Sequence, residues 1–170
     1  MHVLVATDGT MDADDTTRFA TALAGSDGKT TVATIVRIPR RLVDDLRSQF
    51  GAQPGISVDG DAEYVGTPSV DTSTPKGWPG DDAVIEQYLG NKRIEIARPL
   101  TETIRATGAK AESIVREGDD VESDIMELAT EISADVIVIG SHGHNSFSGL
   151  LGSTGAKLVR RSPVPVLVIR

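Results

Sequence analysis

Five short apolar segments constrain the fold of this chain more than any other feature of its sequence. Most of them are near-continuous runs of valine, isoleucine, leucine and alanine, without the alternation of apolar and polar residues that a half-exposed strand shows. Such runs are typical of parallel strands that helices cover on both faces. The predicted strands are residues 3–7, 31–38, 110–116, 135–139 and 164–169.

The segments between these strands have the periodicity of helices, with apolar residues three and four positions apart. In the first helix the buried face is predicted to include Phe19 and Ala20. Gly90 and Pro99 interrupt the long second helix, which predicts a break near the glycine or a kink near the proline. The predicted helices are residues 12–24, 82–107, 120–133 and 153–162.

This alternation of strands and helices predicts an α/β fold, a doubly wound parallel sheet with helices on both faces. We expect residues 1–170 to form a single domain with a long insert at about residues 51–80, a segment rich in glycine, proline and acidic residues. Trp78 and Tyr64 are expected to pin this insert to the body of the domain. In such folds, ligands bind beyond the carboxyl ends of the strands, where the strand order reverses.

Composition excludes several classes of protein. The chain has no cysteine, so neither disulfides nor a cysteine-ligated zinc can support it. Its formal net charge of −8 argues against a basic face for nucleic acid. The apolar runs are far shorter than the roughly 20 residues of a membrane span, and no secretory signal precedes the first strand. We therefore expect a cytoplasmic protein that binds neither nucleic acid nor membrane.

Two strand ends carry the residues best suited to bind a ligand. Asp8 follows the first strand, and its flanking residues predict a partly buried carboxylate. This carboxylate can accept hydrogen bonds from the polar edge of a ligand, or it can cap the turn into the first helix. The predicted fourth strand ends at Ile139, and Gly140 opens a glycine-containing segment that leads to the predicted helix start at Ser153. Backbone amides at a helix start suit a phosphate, although glycines also serve ordinary turns.

The sequence contains no pattern typical of a metal site or a catalytic centre. His142 and His144 have no nearby cluster of further ligands, which favours loop or phosphate contacts over a metal. The phosphate-binding patterns G-x-x-x-x-G-K-[S/T] and G-x-G-x-x-G are both missing. We therefore predict no catalytic residue and no metal ligand.

The chain resembles the universal stress protein family, in its nucleotide-binding branch. Three features carry the resemblance, namely Asp8-Gly9-Thr10 after the first strand, the run from Gly140-x-x-Gly143 to Gly152-Ser153, and the final apolar strand. The resemblance implies a five-stranded parallel sheet of order 3-2-1-4-5, a fold like that of the adenine nucleotide alpha hydrolases. It also implies a homodimer paired through the C-terminal strand, residues 164–169.

The resemblance further implies that ATP or another adenine nucleotide, with or without Mg²⁺, binds across the first and fourth strands. Asp8 would contact the adenosine beside the backbone of Ala6 and Thr7, and Val36 would flank the adenine. The remaining residues would lie against the nucleoside or hold the ribose and phosphates. They are Ile139, Gly140, His142, Gly143, Gly152, Ser153 and Thr154.

One departure from the family pattern keeps other functions open. Eight residues separate Gly143 from Gly152, where the family has nine, and one residue fewer shortens the reach of the loop by up to about 3.5 Å. On the family resemblance, the chain is predicted to be a nucleotide-binding stress or regulatory dimer. The alternatives are a slow ATPase or autophosphorylating protein, with Ser153 or Thr154 as acceptor, and a family member that acts through protein contacts without a nucleotide.

Overall fold

The computed structural model describes residues 1–38, 41, 80–141 and 152–169. Its centre is a five-stranded, all-parallel sheet of order β3-β2-β1-β4-β5, which confirms the predicted fold class and strand order. Each observed strand lies within two residues of its predicted position. The strands are β1 (His2–Ala6), β2 (Lys29–Val36), β3 (Lys110–Glu117), β4 (Val136–Gly140) and β5 (Val166–Ile169).

The helices of the described residues also lie within two residues of their predicted bounds. Asp12 caps the first of them, because its side chain accepts a hydrogen bond of 2.8 Å from the backbone N–H of Asp15. Asp120 occupies the N-cap position of the fourth, where its carboxylate accepts a hydrogen bond of 2.8 Å from the hydroxyl of Ser123. The helices are α1 (Ala13–Ala24), α2 (Asp81–Lys92), α3 (Arg98–Ala106), α4 (Val121–Glu131) and α5 (Ser153–Arg161).

Side chains on the two faces of the sheet form two separate apolar layers. On one face, Val3 and Val5 of β1 pack with Ala20 of α1 and Ile104 of α3. On the other face, Leu4 of β1 packs with residues of α4 and α5, such as Leu128 and Leu158. Alternate residues of β1 thus serve opposite layers, and both sets are fully buried. This explains why the strands read as continuous apolar runs.

The long predicted helix between β2 and β3 bends through a π-helical turn, Arg93–Ala97, that joins α2 to α3. The backbone N–H of Arg98 donates to the carbonyl of Arg93, five residues back. Pro99 follows directly and has no N–H to donate to the carbonyl of Glu95, which its ring would also crowd in a regular helix. The expected distortion near Pro99 is therefore a π turn, and the helix passes through Gly90 without a break.

The prediction that Phe19 lies on the buried face of α1 is wrong. Its side chain is 38% exposed, and the guanidinium of Arg18 lies 4.8 Å from the centre of its ring. The buried face instead holds Thr16 and Thr17 together with Ala20 and Ala24. Small side chains suit this face, since they let the helix approach the sheet closely.

The described contacts divide the chain into two units, one of residues 1–37 and 87–170 and the other of residues 38–86. The first contains the whole sheet. In the second, the structure describes residues 38, 41 and 80–86, with α2 beginning at Asp81. The predicted long loop, with Tyr64 and Trp78, lies outside the described residues except for Gly80. Within the described parts of the chain, no helix is both long and apolar enough to cross a membrane.

A buried histidine lies at the amino-terminal edge of the sheet. The Nδ1 atom of His2 is 2.8 Å from the carbonyl oxygen of Ile132, and its Nε2 atom is 2.8 Å from the hydroxyl oxygen of Thr31. Burial lowers the pKa of His2, against the opposing effect of the hydrogen bond to Ile132. Lys29 lowers this pKa further, whereas Glu112 and Asp135 raise it.

The lowered pKa of His2 predicts a pH-dependent stability. The unfolded chain, where the pKa of histidine is about 6.5, binds this proton more readily than the folded protein. The contribution of His2 is therefore present above about pH 6.5 and is lost as the pH falls toward the lowered pKa. In urea unfolding, we expect the free energy of unfolding to decrease less in His2→Asn than in the wild type when the pH is lowered from about 7 to about 5. Equal slopes in the two proteins would contradict this prediction.

Candidate functional site

The carboxyl-terminal ends of β1 and β4 form the point at which the strand order reverses. From β1 the chain builds outward through β2 to β3, and it then returns to the other side of β1 with β4 and β5. Ala6 pairs with Ile139, so β1 and β4 end at the same level. A parallel sheet offers its ligand crevice at this position.

The turn after β1 is held by two threonine side chains. The backbone N–H of Gly9 donates to the hydroxyl oxygen of Thr7 at 3.0 Å. Both the backbone N–H and the hydroxyl of Thr10 donate to Oδ1 of Asp8, at 3.1 and 2.6 Å. Gly9 has a φ of +91°, a conformation that side chains rarely adopt. The turn thus fixes one oxygen of the Asp8 carboxylate.

Thr7 is anchored to β2 as well as to its own turn. Its backbone N–H donates to the carbonyl of Ala33 at 2.9 Å, and its carbonyl accepts a hydrogen bond of 3.0 Å from the hydroxyl of Thr34. The first contact extends the backbone pairing of β1 with β2 by one residue, and the second adds a side-chain hydrogen bond from β2. Thr7, the residue before Asp8, is therefore held at the carboxyl end of the central strand β1.

Asp8 is exposed to solvent, so the prediction of a partly buried carboxylate is wrong. The strand ends at Ala6, so Asp8 lies two residues beyond it, in the turn at Gly9 that precedes α1. Nor does Asp8 cap α1, since Asp12 does so. The hydrogen bonds of Asp8 within the described residues all go to Oδ1. Its Oδ2 atom is left to accept a hydrogen bond from a ligand.

At the end of β4, Ile139 is buried and Gly140 is half-buried. The backbone N–H of Ser141 donates to the carbonyl of Ile169 at 2.7 Å and extends the pairing of β4 with β5. Because Gly140 has no side chain, the carboxyl end of β4 is open next to the end of β1. His142 and Gly143, the next two predicted site residues, lie outside the described residues.

The amino terminus of α5 presents backbone amides. Gly152 is its N-cap residue, Ser153 is exposed and Thr154 is half-exposed. As a glycine, Gly152 supplies no side-chain hydrogen bond to the first turn of this helix. The N–H groups of a helix start lie at the positive end of the helix dipole and suit an anion.

An ion pair joins α5 to α4. The Nζ atom of Lys157 donates to Oε1 of Glu122, a carboxylate that is almost fully buried. This hydrogen bond raises the pKa of Lys157. At the start of α4, the hydroxyl of Ser123 lowers the pKa of Asp120, with a smaller contribution from Lys157. The amino-terminal half of α5 is thus held by charge as well as by Leu158 in the core.

Val36, the residue expected to flank an adenine, is buried at the end of β2 in the apolar layer of Val3 and Val5. Beyond it, the guanidinium of Arg37 donates to the carbonyl of Asp119 and joins the end of β2 to the loop after β3. Among the predicted site residues, the described contacts thus bring together Ala6, Thr7, Asp8, Ile139 and Gly140. Val36 lies on the next strand, and Gly152, Ser153 and Thr154 lie at the start of α5.

Sequence reasoning missed Thr10 and Thr34 as residues that hold the site. The spacing Asp-x-Thr is typical of a turn in which an aspartate accepts from the backbone two residues ahead, so Thr10 could have been found from that pattern. Thr34 has no comparable signal, because its partner Thr7 lies at the end of another strand.

No group of three or more potential metal-ligating His, Cys, Asp or Glu side chains occurs in residues 1–38, 41, 80–141 and 152–169.

Comparison with solved structures supports the fold. A universal stress protein from Archaeoglobus fulgidus superposes with a TM-score of 0.62 at 20% identity, covering 100% of this chain and 93% of that one. Two further universal stress protein structures are complexes. One contains cAMP and superposes with a TM-score of 0.55 at 23% identity, covering 100% of this chain and 96% of that one. The other, from A. fulgidus, contains dAMP and superposes with a TM-score of 0.56 at 22% identity, covering 100% of this chain and 98% of that one.

Comparison of sequences identifies the family. Universal stress protein G of Shigella flexneri is 33% identical over 85 residues, which are 50% of this chain and 59% of that protein. The match thus spans little more than half the length of that relative. The model of the universal stress protein family matches residues 61–170, well over half of the chain. The protein therefore belongs to the universal stress protein family.

Proposed function

We propose that this protein binds an adenine nucleotide at the carboxyl ends of β1 and β4 and acts as a regulatory stress-response protein. The observation that carries the proposal is the Asp8 turn, in which Thr10 holds one carboxylate oxygen and leaves the other to a ligand. This turn, residues 7–10, lies where the strand order reverses. An acceptor at that place suits the hydroxyl groups of a ribose or the amino group of an adenine.

Two further features support the proposal. Gly140 permits the close approach of a nucleoside to the end of β4, while the first turn of α5, which Gly152 does not cap with a side chain, offers N–H groups to phosphate oxygens. The complexes of family members with cAMP and dAMP both contain an adenine nucleotide. ATP, with or without Mg²⁺, is the ligand we propose first. His142 and Gly143 remain proposed contacts on the family resemblance.

The proposal is tested by identifying what the purified protein carries. Mass spectrometry of small molecules released by denaturation, followed by titration with ATP, ADP, AMP and GTP with and without Mg²⁺, should reveal saturable binding that prefers adenine. No release, and no binding at millimolar concentration, would contradict the proposal and favour a protein that acts through protein contacts. Steady phosphate release that depends on Asp8 would instead make it a slow ATPase.

We also propose a homodimer that pairs through β5. This strand is at the edge of the sheet, and Val166, Leu167 and Val168 are half-exposed. The carbonyl groups of Pro165 and Ile169 bond to β4, so the polar backbone groups of Val166 and Val168 point to the open edge. An unpaired apolar edge of this kind favours pairing with another strand.

A proline at the open edge of β5 should dissociate the dimer. In Val168→Pro the lost N–H points away from β4, so the sheet of each subunit keeps its hydrogen bonds. We expect light scattering at micromolar concentration to give about half the mass of the wild type, while Val168→Thr, which keeps the N–H and the branched shape, stays dimeric. A monomeric wild type, or a Val168→Pro protein that remains dimeric, would exclude this interface.

A further inference from the structure

The π turn between α2 and α3 brings an apolar side chain to the Asp8 turn. Ala97, the last residue of the π turn, is fully buried, whereas Ile94 is 59% exposed and Ile96 is half-buried. The extra residue in a π turn rotates the side chains before it relative to those after it. Ile96 can therefore point sideways from the buried stripe of α3.

Ile96 packs against Gly9. A methyl group built on Gly9 would lie 3.4 Å from Cγ2 and 3.8 Å from Cγ1 of Ile96. Apart from the chain neighbours of Gly9, Ile96 is the only described residue within 4 Å of that position. The glycine thus leaves room for the isoleucine at the surface of the turn.

The Asp8 turn consequently has a polar support and an apolar one. The polar support consists of the hydrogen bonds of Thr7 and Thr10. Because Asp8, Gly9 and Thr10 are all exposed, water competes with these hydrogen bonds and weakens them. A packed isoleucine on the other side restricts the conformations that Gly9, the most flexible residue type, would otherwise adopt.

We infer that Ile96 is a positioning residue, held by the π turn against Gly9, that keeps the Asp8 carboxylate in the orientation required by the nucleotide. The inference rests on the proposed function for its consequence. The contact between Ile96 and Gly9 does not depend on a ligand, so it can be tested in the free protein. Pro99, which imposes the π turn, thereby acts on a loop that lies far from it in the sequence.

Four variants separate positioning from general stability. Ile96→Ala removes both contacting atoms, and Ile96→Leu keeps the size of the side chain but moves its branch away from Cβ. Ile96→Val retains Cγ1 and Cγ2 and should behave as the wild type. Ile94→Ala is the matched control, since it makes the same change on the exposed side of the same turn.

The first readout is solvent exchange of the Thr10 amide, measured by NMR without nucleotide. We expect exchange to be roughly three- to tenfold faster in Ile96→Ala and Ile96→Leu, as the loss of partly buried methyl groups implies, and unchanged in Ile96→Val and Ile94→Ala. Should Ile96→Ala fail to fold, Ile96→Leu carries the test. If the Thr10 amide exchanges as fast in Ile94→Ala as in Ile96→Ala and Ile96→Leu, the inference is overturned.

The second readout is the dissociation constant for ATP. It should rise by a similar factor in Ile96→Ala and Ile96→Leu and return to the wild-type value in Ile96→Val. An unchanged dissociation constant in the presence of faster Thr10 exchange would overturn the role of Ile96 in nucleotide binding. If the wild type binds no nucleotide, the proposed function is wrong, and the Thr10 amide still decides whether Ile96 positions the turn.

Discussion

Replacing Gly28 with alanine is expected to lower the free energy of unfolding by about 3 kcal/mol or more. A methyl group at Gly28 would lie 2.2 Å from the carbonyl oxygen of Ala24 and 2.2 Å from that of Met1. Both atoms belong to the backbone, one at the end of α1 and one at the start of β1. Neither can move without disturbing an element of the fold, so the overlap has to be relieved by displacing β2.

Gly90 provides the matched control for this substitution. It lies inside α2, where no heavy atom of the described residues, apart from the backbone of its own helix and its chain neighbours, lies within 4 Å of the position of an added methyl group. Alanine favours a helix over glycine by about 0.5–1 kcal/mol. The same substitution should therefore destabilise the protein at Gly28 and stabilise it slightly at Gly90.

Thermal and urea unfolding of both variants check this prediction. For a chain of this size, a loss of about 3 kcal/mol corresponds to a midpoint roughly 6–12 °C lower. Two variants of equal stability would show that the close approach at Gly28 does not limit the packing of α1 against β1 and β2.

Removing the carboxylate of Asp8 is expected to raise the dissociation constant for ATP by about 10- to 100-fold. The variant Asp8→Ala loses a charged acceptor, whose hydrogen bonds contribute about 1.5–3 kcal/mol each. It also removes the acceptor of two hydrogen bonds from Thr10. The turn then loses its orientation in addition to its contact with the ligand.

Asp8→Asn separates these two effects. Asparagine keeps one oxygen, which can still accept from Thr10, but it presents an amino group where the carboxylate had its second oxygen. If a donor of the nucleotide faces that oxygen, Asp8→Asn should bind almost as weakly as Asp8→Ala. If the turn alone matters, Asp8→Asn should bind nearly as well as the wild type.

Asp12→Ala is the control for stability. It removes the N-cap hydrogen bond of α1, which should lower the free energy of unfolding by about 1 kcal/mol and leave the dissociation constant unchanged. Calorimetric titration with ATP of Asp8→Ala, Asp8→Asn and Asp12→Ala, each folded as judged by its unfolding midpoint, measures whether Asp8 contacts the nucleotide. An Asp8→Ala protein that binds ATP as tightly as the wild type would remove Asp8 from the proposed site.

Local patterns in the sequence were sufficient to predict the strands and helices and their succession along the chain. Apolar runs such as residues 136–140 and the helical stripe of Ile125, Leu128 and Ala129 depend on neighbours within one or two turns of the chain. The positions of Asp8 after β1 and of Gly140 at the end of β4 follow directly from the ends of those strands. The predicted strand order also relied on the family resemblance, because the residues alone do not determine it.

Contacts between residues far apart in the sequence were decided only by the tertiary structure. The exposure of Asp8 depends on the path that the chain takes after Gly9, and Phe19 is exposed because the face of α1 next to the sheet holds small residues. The contact of Ile96 with Gly9 requires both the π turn and the packed sheet. Periodicity could not predict these features, since it reports which face of an element is apolar and not what that face meets.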